Sequence, residues 1–376
     1  MAKRALLVGC NYPGTEAELR GCVTDVMRMY DLLTQRFGFE GQDIMIMVDT
    51  DDSCLQPTGA NIKWALNRLV ASSEDGDVLF FLYSGHGTRL PAQIGDDDET
   101  GYDECIVPCD MNLITDDDFR AIVNKLSSGV ALTIVSDSCH SGGLIEAATE
   151  QIGDSYNPQG EPEVDPFEFG EVDSVDVGHE EIENYDDESG GTKEVCTGED
   201  VLKVKNKALP LGTFMDMLRD RTGNRDVEVG SIRHTLYDTF KEDSSSKVRS
   251  FMRERSVAYE EESQFVQAEQ GETDDGDAYA QPEETYGEAK RVTDMAVLVS
   301  GCQSHQTSSD VRPTSDPAYG ALCNAIQTVL ASVEPDQPIS NRYLVTEVRL
   351  LLASQGFTQQ PGLYCTDENA EAPFIC

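Results

Sequence analysis

Two short stretches carry residue types that could do covalent chemistry. SDSCHSGG (136–143) places Cys139 and His140 side by side, and YSGHGTRLP (83–91) places His86 between two glycines. Side chains that are adjacent in sequence point in different directions, so His140 is poorly placed to serve Cys139, and His86 is the better partner. A nucleophilic cysteine needs a base within reach and backbone donors for the oxyanion that forms on attack. Gly87 and Gly142–Gly143 would let backbone amides approach a carbonyl closely, so the N–H groups of Gly87 and Cys139 are the expected oxyanion donors. Taken singly, each residue reads more simply as a buried thiol or a structural imidazole. Their occurrence after two apolar runs, both among Gly and Ser, favours the chemical reading. Along a strand Asp137 and Cys139 share a face, so a carboxylate beside the nucleophile would favour a cationic side chain next to the bond being broken. On its own that carboxylate would raise the thiol pKa.

The elements that must position these groups follow from hydrophobic patterning. RALLVGC (4–10), DIMIMVD (43–49), DVLFFLYSG (77–85), ALTIVSDS (131–138) and DMAVLVSGC (294–302) read as buried strands. Helical spacing fills 22–37, 60–73, 319–333 and 340–355. Alternation of this kind predicts an α/β fold with a mainly parallel sheet flanked by helices. Sites in such sheets form at the carboxyl ends of the strands, where both His86 and Cys139 fall.

The chain of 376 residues carries 70 acidic against 28 basic residues, a formal charge of −42. That excludes binding to nucleic acid through phosphate neutralisation and makes cations natural partners. No stretch has the length and apolarity of a membrane span, and the N-terminus does not read as a signal peptide. The eleven cysteines form no C-x-x-C pair, so no structural zinc site is expected, and reduced thiols in a cytoplasmic protein are. Residues 148–200 and 260–290 are acidic and poor in apolar residues, and are expected to order weakly. Residues 201–256 have helical apolar spacing and should form a structured middle. The expected layout is therefore a large catalytic region at 1–147, an acidic linker at 148–291 and a small region at 292–376.

YSGHGTRLP and SDSCHSGG, together with NYPGTEAELRGCVTDV (11–26), DDDETGYDECIVPCDMNLITDDD (96–118) and GFTQQPGLYC (356–365), resemble the metacaspases. These are caspase-like cysteine peptidases of plants, fungi and protists, and the long linker is most similar to that of the plant type II members. The resemblance implies a caspase-like three-layer fold and a His86–Cys139 dyad that cleaves after Arg or Lys. It implies a specificity pocket of Cys22, Asp25, Ser84 and Asp137, where Asp25 alone would read as a helix-start acid. It also implies activation by Ca2+, with Asp110, Asp116, Asp117 and Glu146 as ligands and Asp96, Asp97 and Asp98 in a second region. Patterning alone reads those acids as solvated clusters, since no EF-hand follows. A basic linker residue is expected to plug the pocket and to be cut on activation, and Arg219, set just before TGN, fits that position. Substrates would be proteins or peptides with basic residues, and the chain a monomer acting in wounding or cell death. The rival readings are a catalytically silent scaffold working through the acidic insert, a calcium buffer, and an Asp-specific peptidase.

Overall fold

The computed structural model describes residues 1–92, 102–139, 144, 149–153, 192–197, 200–255, 296–303, 306–314, 316–335 and 337–375. Its frame is a seven-stranded sheet containing β1 (Lys3–Gly9), β2 (Ile44–Val48), β3 (Val78–Ser84), β7 (Ala131–Asp137), β8 (Glu150–Ile152), β11 (Ala296–Ser300) and β14 (Gly362–Tyr364). The order is β2-β1-β3-β7-β11-β14-β8. The first five strands of that order run parallel, and β14 and β8 join antiparallel. The strands expected from the apolar runs all form.

Every residue of β3 is buried, as a strand covered on both faces requires. Alternation divides it between two cores. Leu79, Phe81 and Tyr83 face one core, and Val78, Phe80 and Leu82 face the other. The second core is completed by α1 (Cys22–Gln35), α7 (Ala321–Ser332) and α8 (Asn341–Ser354), and a short α9 (Asp367–Glu371) follows β14. The first core takes α2 (Gly59–Ala71) and α3 (Asp116–Val123), and then the linker's α4 (Leu211–Thr222) and α5 (Ile232–Phe240). Residues 246–255 are helical as well (α6). Phe214, Leu218, Leu236 and Val248 bury their side chains there, so the middle of the linker is fastened to the sheet through apolar packing.

Two smaller sheets border the site. One comprises β4 (Gly87–Pro91), β5 (Tyr102–Ile106) and β6 (Ile114–Thr115). The other has the order β13-β12-β10-β9, from β9 (Thr192–Thr197), β10 (Asp200–Asn206), β12 (Ser309–Arg312) and β13 (Tyr319–Gly320). β8 and β9 lie in the stretch 148–200 that was expected to order weakly. Each completes a sheet edge, so backbone pairing supplies what its side chains lack. Residues 148, 154–191, 198–199 and 260–290 fall outside the described residues.

Candidate active site

β3 and β7 are parallel neighbours, and their register sets Ser84 opposite Asp137. Two residues beyond each lie His86 and Cys139, brought to the same sheet edge. The loops there touch through backbone: a Cβ on Gly87 would stand 1.8 Å from the carbonyl oxygen of Cys139. Gly87 is therefore required for the approach.

Across this edge runs the linker. β10 pairs antiparallel with β12, from Lys203 opposite Arg312 to Asn206 opposite Ser309. The chain continues through the cleft with the Lys207 amide donating to the Ser308 carbonyl at 2.9 Å and the Leu209 amide to the Gly87 carbonyl at 2.8 Å. The Thr88 hydroxyl donates to the Leu209 carbonyl at 2.8 Å. This is strand addition, the way extended peptides are held in many recognition clefts.

The Lys207 side chain is fully buried. Its ammonium lies 3.0 Å from Asp137 Oδ1 and 3.6 Å from Asp25 Oδ2. It donates to Ser84 Oγ at 3.1 Å and to the Asp137 carbonyl at 3.0 Å. The four expected pocket residues thus gather around one cation: Ser84 Oγ donates to Asp25 Oδ2 at 2.7 Å, and the buried Cys22 thiol interacts with Ser84 and Lys207. Backbone amides orient the carboxylates. Gly320 N–H donates to Asp25 Oδ1 at 2.8 Å and Cys323 N–H to Asp137 Oδ2 at 2.9 Å. Burial alone would lower the Lys207 pKa, but Asp137, Cys22 and Asp25 hold it well above the usual lysine value. Burial pushes Asp25 up to about 7, with Lys207 opposing and Asp137 assisting. The pocket therefore holds a charged ammonium whose principal partner is Asp137.

The carbonyl of Lys207 meets the chemistry-bearing residues. Its oxygen accepts from Gly87 N–H at 3.0 Å and lies 2.9 Å from His86 Nδ1. The other ring nitrogen of His86, Nε2, lies 2.7 Å from the Ala17 carbonyl, which anchors the ring. Burial lowers the His86 pKa to about 4, so the ring is neutral near pH 7. Cys139 Sγ accepts from Ser308 N–H at 2.9 Å and stands 3.5 Å from Asn206 Oδ1, on the residue before Lys207. Burial first, then the adjoining Cys302 thiol, raises the Cys139 pKa well above an ordinary cysteine. The pair stands as a thiol and a neutral imidazole, His86 at the Lys207 carbonyl and Cys139 beside Asn206, the residue before it. Of the two expected oxyanion donors, the Gly87 amide makes the contact, and the Cys139 backbone packs behind it.

Arg219 does not take the place expected of it. It sits in the last turn of α4, where its guanidinium pairs with Asp216 and donates to the Val227 carbonyl. Phe214, Met217 and Leu218 bury that helix against the core, so packing fixes Arg219 away from the pocket. Lys207 was missed, although its signal was present: Lys203, Lys205 and Lys207 alternate along DVLKVKNK, with small or apolar residues after them.

The expected cation ligands divide. Asp116 and Asp117 meet at the start of α3, with Lys247 Nζ 3.7 Å from Asp116 Oδ1 and 3.8 Å from Asp117 Oδ2. The same ammonium lies 2.7 Å from Asp103 Oδ1, and Arg233 lies 2.6 Å from Asp103 Oδ2. Asp103 was not anticipated, and both its cationic partners belong to the linker. Asp110 is engaged separately, accepting from the Gly59 and Asn112 amides at 3.0 and 3.2 Å. Asp96, Asp97, Asp98 and Glu146 lie outside the described residues.

Comparison with known proteins accords with this arrangement. Residues 3–148 match the family model described as metacaspase, peptidase C14 domain. The chain is 47% identical to Metacaspase-4 and 46% identical to Metacaspase-6 of Arabidopsis thaliana, with 100% of each chain covered. It is 43% identical to Metacaspase-7 of the same plant, again over 100% of both. Among solved structures, protein GSU0716 of Geobacter sulfurreducens aligns with a TM-score of 0.52 and 17% identity over 100% of this chain and 98% of that one, a likeness of fold alone. The chain belongs to the metacaspases, caspase-like cysteine peptidases, and within them to the plant type II group.

Proposed function

We propose that this chain is a calcium-activated cysteine endopeptidase that cleaves after Lys or Arg, held inactive by its own linker and released by cutting the Lys207–Ala208 bond. The observation that carries the reading is the seat of Lys207: ammonium between Asp137 and Asp25, carbonyl on the Gly87 amide and at His86 Nδ1, with Cys139 Sγ beside the preceding Asn206. A linker residue held this way occupies the position of a substrate.

In the reaction, the Cys139 thiol passes its proton to His86 and Sγ bonds to the Lys207 carbonyl carbon. The oxyanion rests on the Gly87 N–H. His86 then delivers the proton to the Ala208 nitrogen as the C–N bond breaks, and water hydrolyses the thioester to free the Lys207 carboxylate. In trans, an Arg or Lys side chain of another protein takes the place of Lys207. The raised thiol pKa and the lowered imidazole pKa, both caused first by burial, oppose ion-pair formation in this arrangement.

The donors Asp103, Asp116 and Asp117 are oxygens that already share a cation, the ammonium of Lys247. Such a set fits Ca2+. Asp103, Asp116 and Asp117 would hold the ion, which would supply the positive charge that Lys247 and Arg233 supply now. Lys247 and Arg233 would then lose their partner, and α5 and α6 an anchor. The experiment is incubation of the purified chain with and without Ca2+, with N-terminal sequencing of the fragments and hydrolysis of Arg- and Asp-terminated peptides. A new terminus at Ala208, with hydrolysis of the Arg peptide, both dependent on Ca2+ and absent in Cys139→Ala, is the expected result. A first cut elsewhere, or cleavage of the Asp peptide, would overturn it.

A further inference from the structure

The specificity pocket contains a thiol that peptide cleavage does not use. Cys323, at the start of α7, is fully buried and hydrogen-bonded to Asp137. Asp25, Asp137 and Cys323 each turn one ligand atom to a common point, and these atoms lie within 4.8 Å of one another. The three come from α1, β7 and α7, so the sheet and the two helices packed on it fix their spacing. Room at the centre exists because residue 320 has no side chain: a Cβ on Gly320 would stand 2.2 Å from Asp137 Oδ2, 2.4 Å from Asp25 Oδ2 and 2.5 Å from Lys207 Nζ. A cation is already seated there in the form of Lys207. Asp137 Oδ1, fully buried, has no hydrogen-bond partner among the described residues and is paired with that ammonium, 3.0 Å away.

Removing Lys207 leaves two buried carboxylates and a thiol facing an emptied space. An incoming Lys or Arg needs the carboxylates and has no use for the sulfur. Two oxygens and one sulfur, converging from three rigid elements, form a donor set for a borderline-soft dication, and it selects against Ca2+ and Mg2+. Ligand atoms in a tetrahedral zinc site stand roughly 3.3–3.8 Å apart, given bonds of about 2.0–2.3 Å, so small side-chain shifts close the cluster.

We infer that the emptied specificity pocket binds one Zn2+ through Asp25, Asp137 and Cys323, with a water as the fourth ligand, and that zinc and a basic side chain exclude each other there. On binding, the Cys323 S–H proton and the proton that Asp25 holds in the emptied pocket leave to solvent as the S–Zn and O–Zn bonds form, and no electron is transferred. The inference rests on Lys207 occupying the specificity pocket. It does not depend on how or whether the linker is cut.

The test uses full-length Lys207→Ala protein, so that no processing is needed. Zn2+ is titrated in competition with a chromophoric chelator, and Co2+ serves as a spectroscopic probe. One tight equivalent beyond those of the parent chain is expected, with a thiolate-to-cobalt absorption band. Both should be lost in Lys207→Ala/Cys323→Ser and Lys207→Ala/Cys323→Ala, with affinity weakened at least tenfold, and retained in Lys207→Ala/Cys139→Ala. Agmatine, an arginine-like cation without a carboxylate, should displace the metal. An equivalent that disappears with Cys139 and survives both Cys323 substitutions would place the metal on the nucleophile and overturn the inference. Equal binding by the parent chain would overturn it too. Retained circular dichroism and thermal midpoint in the Cys323 variants separate loss of site from loss of fold. Peptide hydrolysis by the processed enzyme is read separately: failure there with zinc still bound would sink the proposed substrate class and leave the metal site standing.

Discussion

The Gly87 amide donates to the Lys207 carbonyl oxygen at 3.0 Å, so the residue that follows the candidate base holds the bond that the linker presents. The Lys207 side chain and its carbonyl are gripped by different elements, the pocket by α1, β3 and β7 and the carbonyl by the start of β4. Position and charge at residue 207 can therefore be tested apart.

Charge comes first. Lys207→Arg should still be cut after residue 207. Lys207→Gln leaves Asp25 and Asp137 without a cation, a loss of about 2–5 kcal/mol at a buried charge pair, and should slow the cut on the order of 100-fold. Arg219→Ala should process at the parent rate, because its guanidinium serves Asp216 and the Val227 carbonyl. Densitometry of a calcium-triggered time course with fragment mass measurement decides all three. Parent-rate cleavage of Lys207→Gln, or slowed cleavage of Arg219→Ala, would refute the assignment of the plug.

Stability should depend on pH in a way that isolates the pocket. Asp25 titrates near 7 in the folded chain, above its unfolded value of about 3.9. The folded state therefore binds more protons between these values, and stability falls as pH rises through the window. His86, lowered to about 4 from about 6.5 unfolded, acts in the opposite sense: its contribution is present above pH 6.5 and is lost as pH falls toward 4. In Lys207→Ala the Asp25 value climbs further while the His86 effect is common to both proteins. The difference in unfolding free energy between parent and Lys207→Ala, measured by denaturant titration with each in the Cys139→Ala background to prevent cutting, should thus widen from pH 5 to pH 8. It should reach on the order of 3 kcal/mol, the cost of breaking a buried pair. A difference that is flat with pH would mean that the carboxylates are not charged together.

Gly320→Ala tests the room around the cation. Its Cβ would fall 2.5 Å from the ammonium and closer still to both carboxylates. Displacement of the charged head by about an ångström predicts a loss on the order of 100-fold in kcat/KM for Arg and Lys peptides in the processed enzyme, with the thermal midpoint little changed. Unaltered kinetics would show that the pocket floor yields.

The linker's grip on the acidic cluster predicts a change in calcium demand. Lys247→Met keeps the apolar stem and removes a cation within 4 Å of Asp103, Asp116 and Asp117. A competing ion pair of this kind contributes roughly 1 kcal/mol, so half-maximal processing should need about fivefold less Ca2+. A higher requirement would mean that Lys247 does not compete with the ion.

The sheet and the placing of His86 and Cys139 at one edge were legible because each depends on a local pattern, whereas Cys22, Asp25 and Ser84 came only from the family resemblance. β3 and β7 are continuous apolar runs, and the groups that do chemistry stand just past their ends. What occupies the pocket is not local. Lys207 reaches Asp25 and Asp137 across 182 and 70 positions of sequence, and a charge count gives every basic linker residue an equal claim. Arg219 has the favourable neighbours, but its orientation is set by an amphipathic helix that buries Phe214 and Leu218. Asp103 was hidden within an acidic run, and only the fold turns it toward Lys247 and Arg233. Within 148–200, β8 and β9 form because strand pairing needs backbone partners more than side chains, and both find them at sheet edges.

β10 is held by its ladder to β12 and to β9, and hydrolysis after Lys207 breaks none of those pairings. On the proposed cut, the severed enzyme begins its life with its own product bound. Because that product is still joined to the protein through β9, it rebinds at the high effective concentration of a tethered ligand, and diluting the enzyme does not release it. Under the proposed cut, the onset of activity toward other proteins is then timed by the peeling of a strand, which the chemical step permits and does not itself complete.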